Sequence, residues 1–329
     1  MRGKSGGGGW VCLALLSLLL SACAAGDRIV SVPGQGFLGG LVYLDRDGNR
    51  EPGGPDQALQ GVGVGLVVAG TLDTVARATS DANGGFVFGA VPVGRYTVVV
   101  PVASVFGDSL QVVRIDTADV SLGVDDTTEV NVSVSFPSYT VAEARTRPLG
   151  EKIFIEGLVL NNSPAFGDST VHLRDTTGAI RITGTRGPLV AAGDSVRFLG
   201  TVAALNGQPV IENGQATILQ IVGLPVAIGV LTFSAASAQG DLDAELVRIV
   251  DATIADDTAT VNGDYQFTVD DGSGPVLVVL DQDVGFTTPR DLYFPGEVIY
   301  AVGVLVPTGS GAWVLKPRNN SLTNGDLPR

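Results

Sequence analysis

The chain has 329 residues, a length that suits two or three domains. It carries 45 Gly and 17 Pro but one Met, one His and two Cys, with a formal net charge of −14. At 45% apolar and 16% charged it is too apolar for disorder and, with near a fifth of its residues turn formers, too turn-rich for a helical bundle. Both cysteines lie in the first 23 residues. That excludes a disulfide framework, a cysteine-based zinc site or a cysteine nucleophile from the rest, and one histidine excludes a multi-histidine metal site.

Arg2 and Lys4 open the chain, and an apolar run follows from Trp10 to Leu20. A basic start, a short apolar region and a small-residue exit describe a secretory signal, and the run is too short to cross a membrane. Leu20-Ser21-Ala22-Cys23 resembles the lipobox of bacterial lipoproteins. The resemblance implies a signal peptide over 1–22, cleavage before Cys23 and lipidation of that residue. Ala24, in place of the aspartate that favours inner-membrane retention, points to the outer membrane where there is one. Residues 23–36 then read as lipidated cysteine and tether, with several acyl chains giving a stable anchor. The processed chain holds 18 basic and 34 acidic residues. Residues 23–137 carry 6 basic and 13 acidic, 138–225 carry 7 and 7, and 226–329 carry 5 and 14. The middle is neutral and the flanks are acidic.

After the tether, alternation is everywhere. Tyr96-Thr97-Val98-Val99-Val100 and Lys152-Ile153-Phe154-Ile155-Glu156 are typical. Valine-rich runs bounded by Gly, Pro, Asn and Asp predict an all-β protein. From Phe37 the order is a strand (Gly40–Asp45), an acidic loop (Asp45–Asp56), an alternating strand (Leu59–Leu66), a turn (Asp81–Gly84) before Phe86-Val87-Phe88, and Gly94-Arg95-Tyr96. Asp81–Gly84 suits a hairpin, and the Tyr96 ring is expected between sheets. Residues 37–137 resemble the B-type domains of serine–aspartate-repeat adhesins, related to Cna-B-type and carboxypeptidase-regulatory-like sandwiches. The resemblance implies an Ig-like or prealbumin-like β-sandwich and a calcium loop. Its ligands would be Asp45, Asp47, Asn49, the Glu51 carbonyl and Asp56, an all-oxygen set of the kind calcium takes, holding a structural ion weakly. The pattern departs from the family at Arg50, where a glycine often bends, at Gly53 and at the short Asp56. A solvated polar turn is the alternative.

The remainder reads as a duplication. Thr140–Ala144 parallels Thr232–Ala236, Lys152–Val159 parallels Glu245–Ala252, Val171–Gly178 parallels Phe267–Gly274, and Gly193–Gly200 parallels Gly296–Gly303. Strand, hairpin, Gly-acid turn and strand-turn-strand resemble the OB-fold domains of secreted bacterial proteins. Two small five-stranded barrels are expected, over 138–225 and 226–329.

OB barrels bind single-stranded nucleic acid through aromatics and basic grooves. Arg174, Arg181, Arg186 and Arg197 are the candidate ligand face, in the first barrel. The overall negative charge repels phosphate. Gly107-Asp108-Ser109-Leu110 spells the nucleophile block of GDSL esterases, but the Asp-x-x-His that family needs is absent, and the triplet recurs at Gly167–Ser169 and Gly193–Ser195 as turn chemistry would. Gly34–Gly39 is a GxGxxG spelling read as a linker. His172 alternates with Val171 and Leu173 and is expected on the barrel wall. Asp241, Asp243 and Glu245 read as a solvated edge, with a carboxylate metal site as the alternative. No nucleophile with a base is evident. The expectation is a non-catalytic, lipid-anchored envelope protein that binds or scaffolds a protein or envelope polymer. The alternative is nucleic-acid or oligosaccharide binding through the first barrel.

Overall fold

Period-two alternation is visible directly in the strands: Phe86 and Phe88 are buried while Val87 between them is exposed. The computed structural model describes residues 34–101, 110–116, 118–221, 231–257, 259–286, 292–320 and 325–327. The leader and Cys23 lie outside the described residues. The chain is all-β, in three successive units.

The first unit holds β1 (Gln35–Leu44), β2 (Gln57–Ala58), β3 (Gly63–Val68), β4 (Thr74–Thr79), β5 (Gly85–Pro92), β6 (Gly94–Val99), β7 (Gln111–Ile115), β8 (Asp119–Leu122), β9 (Thr127–Glu129) and β10 (Val132–Ser135). One sheet runs β4-β3-β6-β8. The other is built on β1, which pairs with β2, β5, β9 and β10, with β7 beyond β10. Phe86, Phe88, Leu38, Leu66 and Val98 fill the space between. Tyr96 lies among them and its hydroxyl donates to the Pro92 carbonyl at 2.6 Å. Asp81 closes the β4–β5 turn by accepting from the Asn83 and Gly85 amides, but β4 and β5 lie in different sheets, so the turn crosses between the sheets rather than closing the expected hairpin. Gly34–Gly39 is strand rather than linker, since β1 begins at Gln35. The glycines serve close packing: a Cβ on Gly40 would fall 1.9 Å from the Val130 carbonyl oxygen.

The second unit holds β11 (Ser138–Tyr139), α1 (Val141–Ala144), β12 (Lys152–Val159), β13 (Val171–Arg174), β14 (Ala179–Thr183), β15 (Ser195–Leu205) and β16 (Gln208–Gln220). The ring runs β12-β13-β14-β16-β15 and closes by β12 pairing β15, with β14 and β16 parallel. The third unit repeats it with β17 (Leu231–Thr232), β18 (Leu246–Ile254), β19 (Ala259–Val261), β20 (Asp264–Asp270), β21 (Pro275–Leu280), β22 (Val298–Pro307) and β23 (Trp313–Lys316). Its ring is β18-β20-β21-β23-β22, closed by β18–β22, with β21 and β23 parallel. Both are five-stranded barrels of OB topology.

The duplication extends to single hydrogen bonds. Asp175 accepts from the Val141 amide and from the Thr177 amide and hydroxyl; Asp271 accepts from the Ala235 amide and from the Ser273 amide and hydroxyl. Each Asp-x-Ser/Thr-Gly hairpin thus caps the short helical turn before its barrel. Asp194 accepts from Ala191 N and Glu297 from Phe294 N, each behind a glycine of positive φ. These bonds also correct the sequence alignment. Thr140 matches Ser234, the cap of the Ala235–Ser237 turn, rather than Thr232. Ile153, opposite Gly200, matches Val247, opposite Gly303, so Lys152 matches Leu246 rather than Glu245. A bulge at β18, with Asp251 at φ 52, then adds one residue. A one-residue slip would put every β18 side chain on the wrong face.

Candidate functional site

The acidic loop leaves β1 at Asp45. This carboxylate is buried, and its Oδ1 accepts from Gly48 N at 2.7 Å. Asp47 accepts from Asn49 N, and Asp56 from Arg46 N at 2.9 Å and Gly53 N at 3.2 Å. The bend that usually takes glycine is made by Arg50 at φ 63. Asp45, Asp47 and Asp56 converge, with one oxygen of each within 4.8 Å of the others. Burial, with Asp47 and Asp45 nearby, pushes the Asp56 carboxyl up. Behind the loop the Tyr43 phenol is pushed up to about 12, by burial first and then by Asp116, Asp45 and Asp56. Three crowded carboxylates are a donor set for a hard cation. Asn49 stands beside the cluster, its Nδ2 donating to Asp47 and its Oδ1 accepting from Glu51 N at 2.7 Å.

The loop lies at a joint. A Cβ on Gly48 would fall 2.4 Å from Arg197 Nη1 of the first barrel. Arg197 is buried, its guanidinium 4.2 Å above the Phe154 ring and its Nε 3.1 Å from Glu156. Phe154 and Leu199, opposite each other on β12 and β15, point out of the barrel into the sandwich core. Phe136 meets Phe154 edge-on at 6.1 Å.

A second joint unites the barrels. Leu160, Phe166 and Ala179 of the first pack against Ala244, Leu246, Val302 and Val304 of the second. Since Val302 matches Leu199, each barrel docks on what precedes it by the outer face of its first and fourth strands. The receiving surface on the first barrel is the outer face of β13 and β14. Arg145 Nη1 lies 3.1 Å from Asp243, Arg174 Nε lies 3.3 Å from Glu245, and Arg181 is buried near Asp243.

The four arginines therefore do not share one face. Arg174 and Arg181 lie beneath the second barrel, Arg197 lies against the sandwich, and Arg186 is exposed in the loop after β14. Asp243 and Glu245 are buried ion-pair partners rather than a solvated edge, and burial pushes both carboxyls up against the pull of Arg145 and Arg174. Asp241 is exposed. His172 is on the barrel wall as expected, but the second barrel buries it. Its Nδ1 is 3.0 Å from Asn161 Oδ1, and burial plus Arg181, Lys316 and Arg318 lower it to about 3, so it is neutral. Sequence reasoning missed Arg145 and the pairing role of the 243–245 acids. Alternation showed that these residues face outward, but not that another barrel lies over them. Gly107–Ser109 lies outside the described residues. Gly167–Ser169 and Gly193–Ser195 are turns, in which Asp168 accepts from Thr170 N and Asp194 from Ala191 N.

No family model matches the chain, and no curated protein matches it. Among solved structures, the Ifi202 HINa domain in complex with 20 bp double-stranded DNA aligns at 13% identity over 51% of this chain and 93% of that one, TM-score 0.27. The p204 HINb domain aligns at 13% over 53% and 94%, TM-score 0.26. The Bacillus anthracis TIE protein aligns at 14% over 87% of this chain and 49% of that one, TM-score 0.24. Likenesses this weak carry no argument about function.

Proposed function

We propose that the chain is a non-catalytic scaffold of the cell envelope, held at the membrane through a lipidated Cys23. It would present docked β units to a protein or envelope polymer, with calcium in the Asp45–Asp56 loop stiffening the base of the array. The observation that carries this is the head-to-tail docking: the buried side chains of each barrel's first and fourth strands join it to its neighbour. Interfaces built this way favour a fixed presentation over independent units on tethers. The loop lies where the sandwich meets the first barrel, so an ion there would stiffen that joint. In this reading Asp45, Asp47 and Asp56 hold the ion, and Asn49 and the Glu51 carbonyl complete its shell. The outer membrane and an extracytoplasmic face follow from the leader alone. Membrane fractionation of cells producing the wild type and Cys23→Ala tests the anchor, since release of the variant to the soluble fraction is expected. Calcium titration by calorimetry, wild type against Asp45→Asn, tests the loop; equal heats from both would remove the ion from the account.

The alternative, nucleic-acid or oligosaccharide binding through the first barrel, meets a specific obstacle. The outer face of β13 and β14, with Arg174 and Arg181, is the surface that receives the second barrel. Weak structural neighbours described with bound DNA do not offset that geometry.

A further inference from the structure

On the first barrel the receiving surface shows how a neighbour is seated. The segment Leu242–Leu246 enters beside α1, β14 and the β15–β16 turn. Arg145 binds Asp243 while donating also to the Ala179 carbonyl and Gln208 Oε1, and Arg174 faces Glu245. The second barrel has the same surface. There, an open cleft of about 400 Å³ is lined by Gln239, Thr268, Pro275, Leu277 and Trp313 among others. The matched hydrogen bonds fix the correspondence. Gln239 stands for Arg145, Thr268 for His172, Asp270 for Arg174, Pro275 for Ala179 and Leu277 for Arg181. Thr268 even keeps the bond of its counterpart, to Asp256 where His172 uses Asn161. The three cations of the filled site have become an amide, a carboxylate and an apolar side chain.

We infer that this cleft receives a polypeptide segment from a partner protein, one that is neutral where Asp243 is acidic and basic where Glu245 is acidic. The filled site shows the mode of seating, and the changed charges state the partner's chemistry. A segment like 242–246 would place two carboxylates against Gln239, Leu277 and Asp270. One would be desolvated without a cation and the other would face a like charge. An amide against Gln239 and a lysine or arginine against Asp270 satisfy the same geometry. The inference rests on the scaffolding reading and deepens it by naming the surface.

The probe is a peptide of residues 240–249 carrying Asp243→Asn and Glu245→Lys, with the unaltered peptide as its control. The processed, lipidated chain is used in detergent, and without residues 1–22 Trp313 in the cleft is its one tryptophan. The altered peptide is expected to shift Trp313 emission saturably, and the unaltered one to bind at least tenfold more weakly. Gln239→Arg with Leu277→Arg restores the first barrel's residues and should invert that preference; Asp270→Asn should narrow it while its side-chain oxygen still accepts from the Gly272 and Gly274 amides. No saturable change with the altered peptide at millimolar concentration overturns the inference. So does an equal response to both peptides, an unchanged preference in the arginine variant, or saturation by maltoheptaose with neither peptide binding. Membrane release of Cys23→Ala and calcium titration do not involve the cleft, so failure here leaves those tests standing.

Discussion

Replacing Arg145 by Met should loosen the joint between the barrels more than any change at an exposed ion pair. The Asp243 side chain has no exposed surface, whereas that of Arg145 is 22% exposed. Removing the arginine strands a buried carboxylate and takes a donor from the Ala179 carbonyl and Gln208. Breaking a buried pair from one side costs about 3–5 kcal/mol, against about 0–1 kcal/mol for an exposed pair. Arg181 lies close enough to recover part of this, so about 3 kcal/mol is expected. The double variant Arg145→Met/Asp243→Leu should cost much less than the sum of the two single changes, because no charge is left buried. The pH dependence has a definite sign. Without Arg145 the Asp243 carboxyl rises further above its unfolded value, so the variant loses stability as pH rises through the unfolded carboxylate range. Its deficit should shrink between pH 7 and pH 4. Urea unfolding followed by emission of Trp313, the one tryptophan of the processed chain, reads the second barrel. A single-variant cost below about 1 kcal/mol, or additive costs in the cycle, would refute a buried, coupled pair.

Three further outcomes follow from the geometry. Calcium should raise the melting temperature of the wild type but not of Asp45→Asn, and its affinity should fall as pH drops, since Asp56, pushed up, is protonated before an ordinary aspartate; differential scanning calorimetry at pH 7 and pH 5 checks both. Gly40→Ala should destabilise by about 1–3 kcal/mol because its Cβ meets the Val130 carbonyl, while Gly89→Ala, with nothing within 4 Å, should be neutral or slightly stabilising, in urea unfolding followed by far-ultraviolet circular dichroism, which reads the sandwich as well as the barrels. His172 is lowered from 6.5 to about 3 in the fold. The unfolded chain therefore binds its proton first, and stability present above pH 6.5 is lost progressively as pH falls towards 3, by an amount on the order of a few kcal/mol. His172→Gln should flatten that acid limb, and an unchanged limb would place the sensitivity elsewhere.

The strand pattern was readable because period-two alternation marks the buried face wherever a strand covers a core. Phe86, Phe88, Ile153 and Ile155 announce themselves this way. The barrel duplication was readable from Asp175-x-Thr177-Gly178 and Asp271-x-Ser273-Gly274, whose turn chemistry repeats. The register of β18 was not, because its run of Leu, Val and Ile tolerates a one-residue slip, and the Asp251 bulge displaces the pattern by a further residue beyond Ile249. Phe154 lies in a core, but in the sandwich's rather than its own barrel's. Alternation says which face is covered and is silent on what covers it. The same limit hid the pairing of Arg174 with Glu245 and of Arg145 with Asp243, residues 71 and 98 positions apart. Of the acidic loop, the spacing of its aspartates was legible, and the structure brings Asp45, Asp47 and Asp56 together, while Asn49 turns its amide to Asp47 and the Glu51 amide.

Arg145, Arg174, Arg181 and Arg197 hold the chain's own parts together and are not offered to a polyanion. Fluorescence anisotropy of labelled single-stranded DNA with the full chain, at low salt and with calcium, tests it where charge is least screened. No saturable binding is expected. Saturable binding that weakens with salt and disappears in Arg174→Ala and Arg181→Ala would contradict it, because it would show those side chains reaching a ligand from beneath the second barrel.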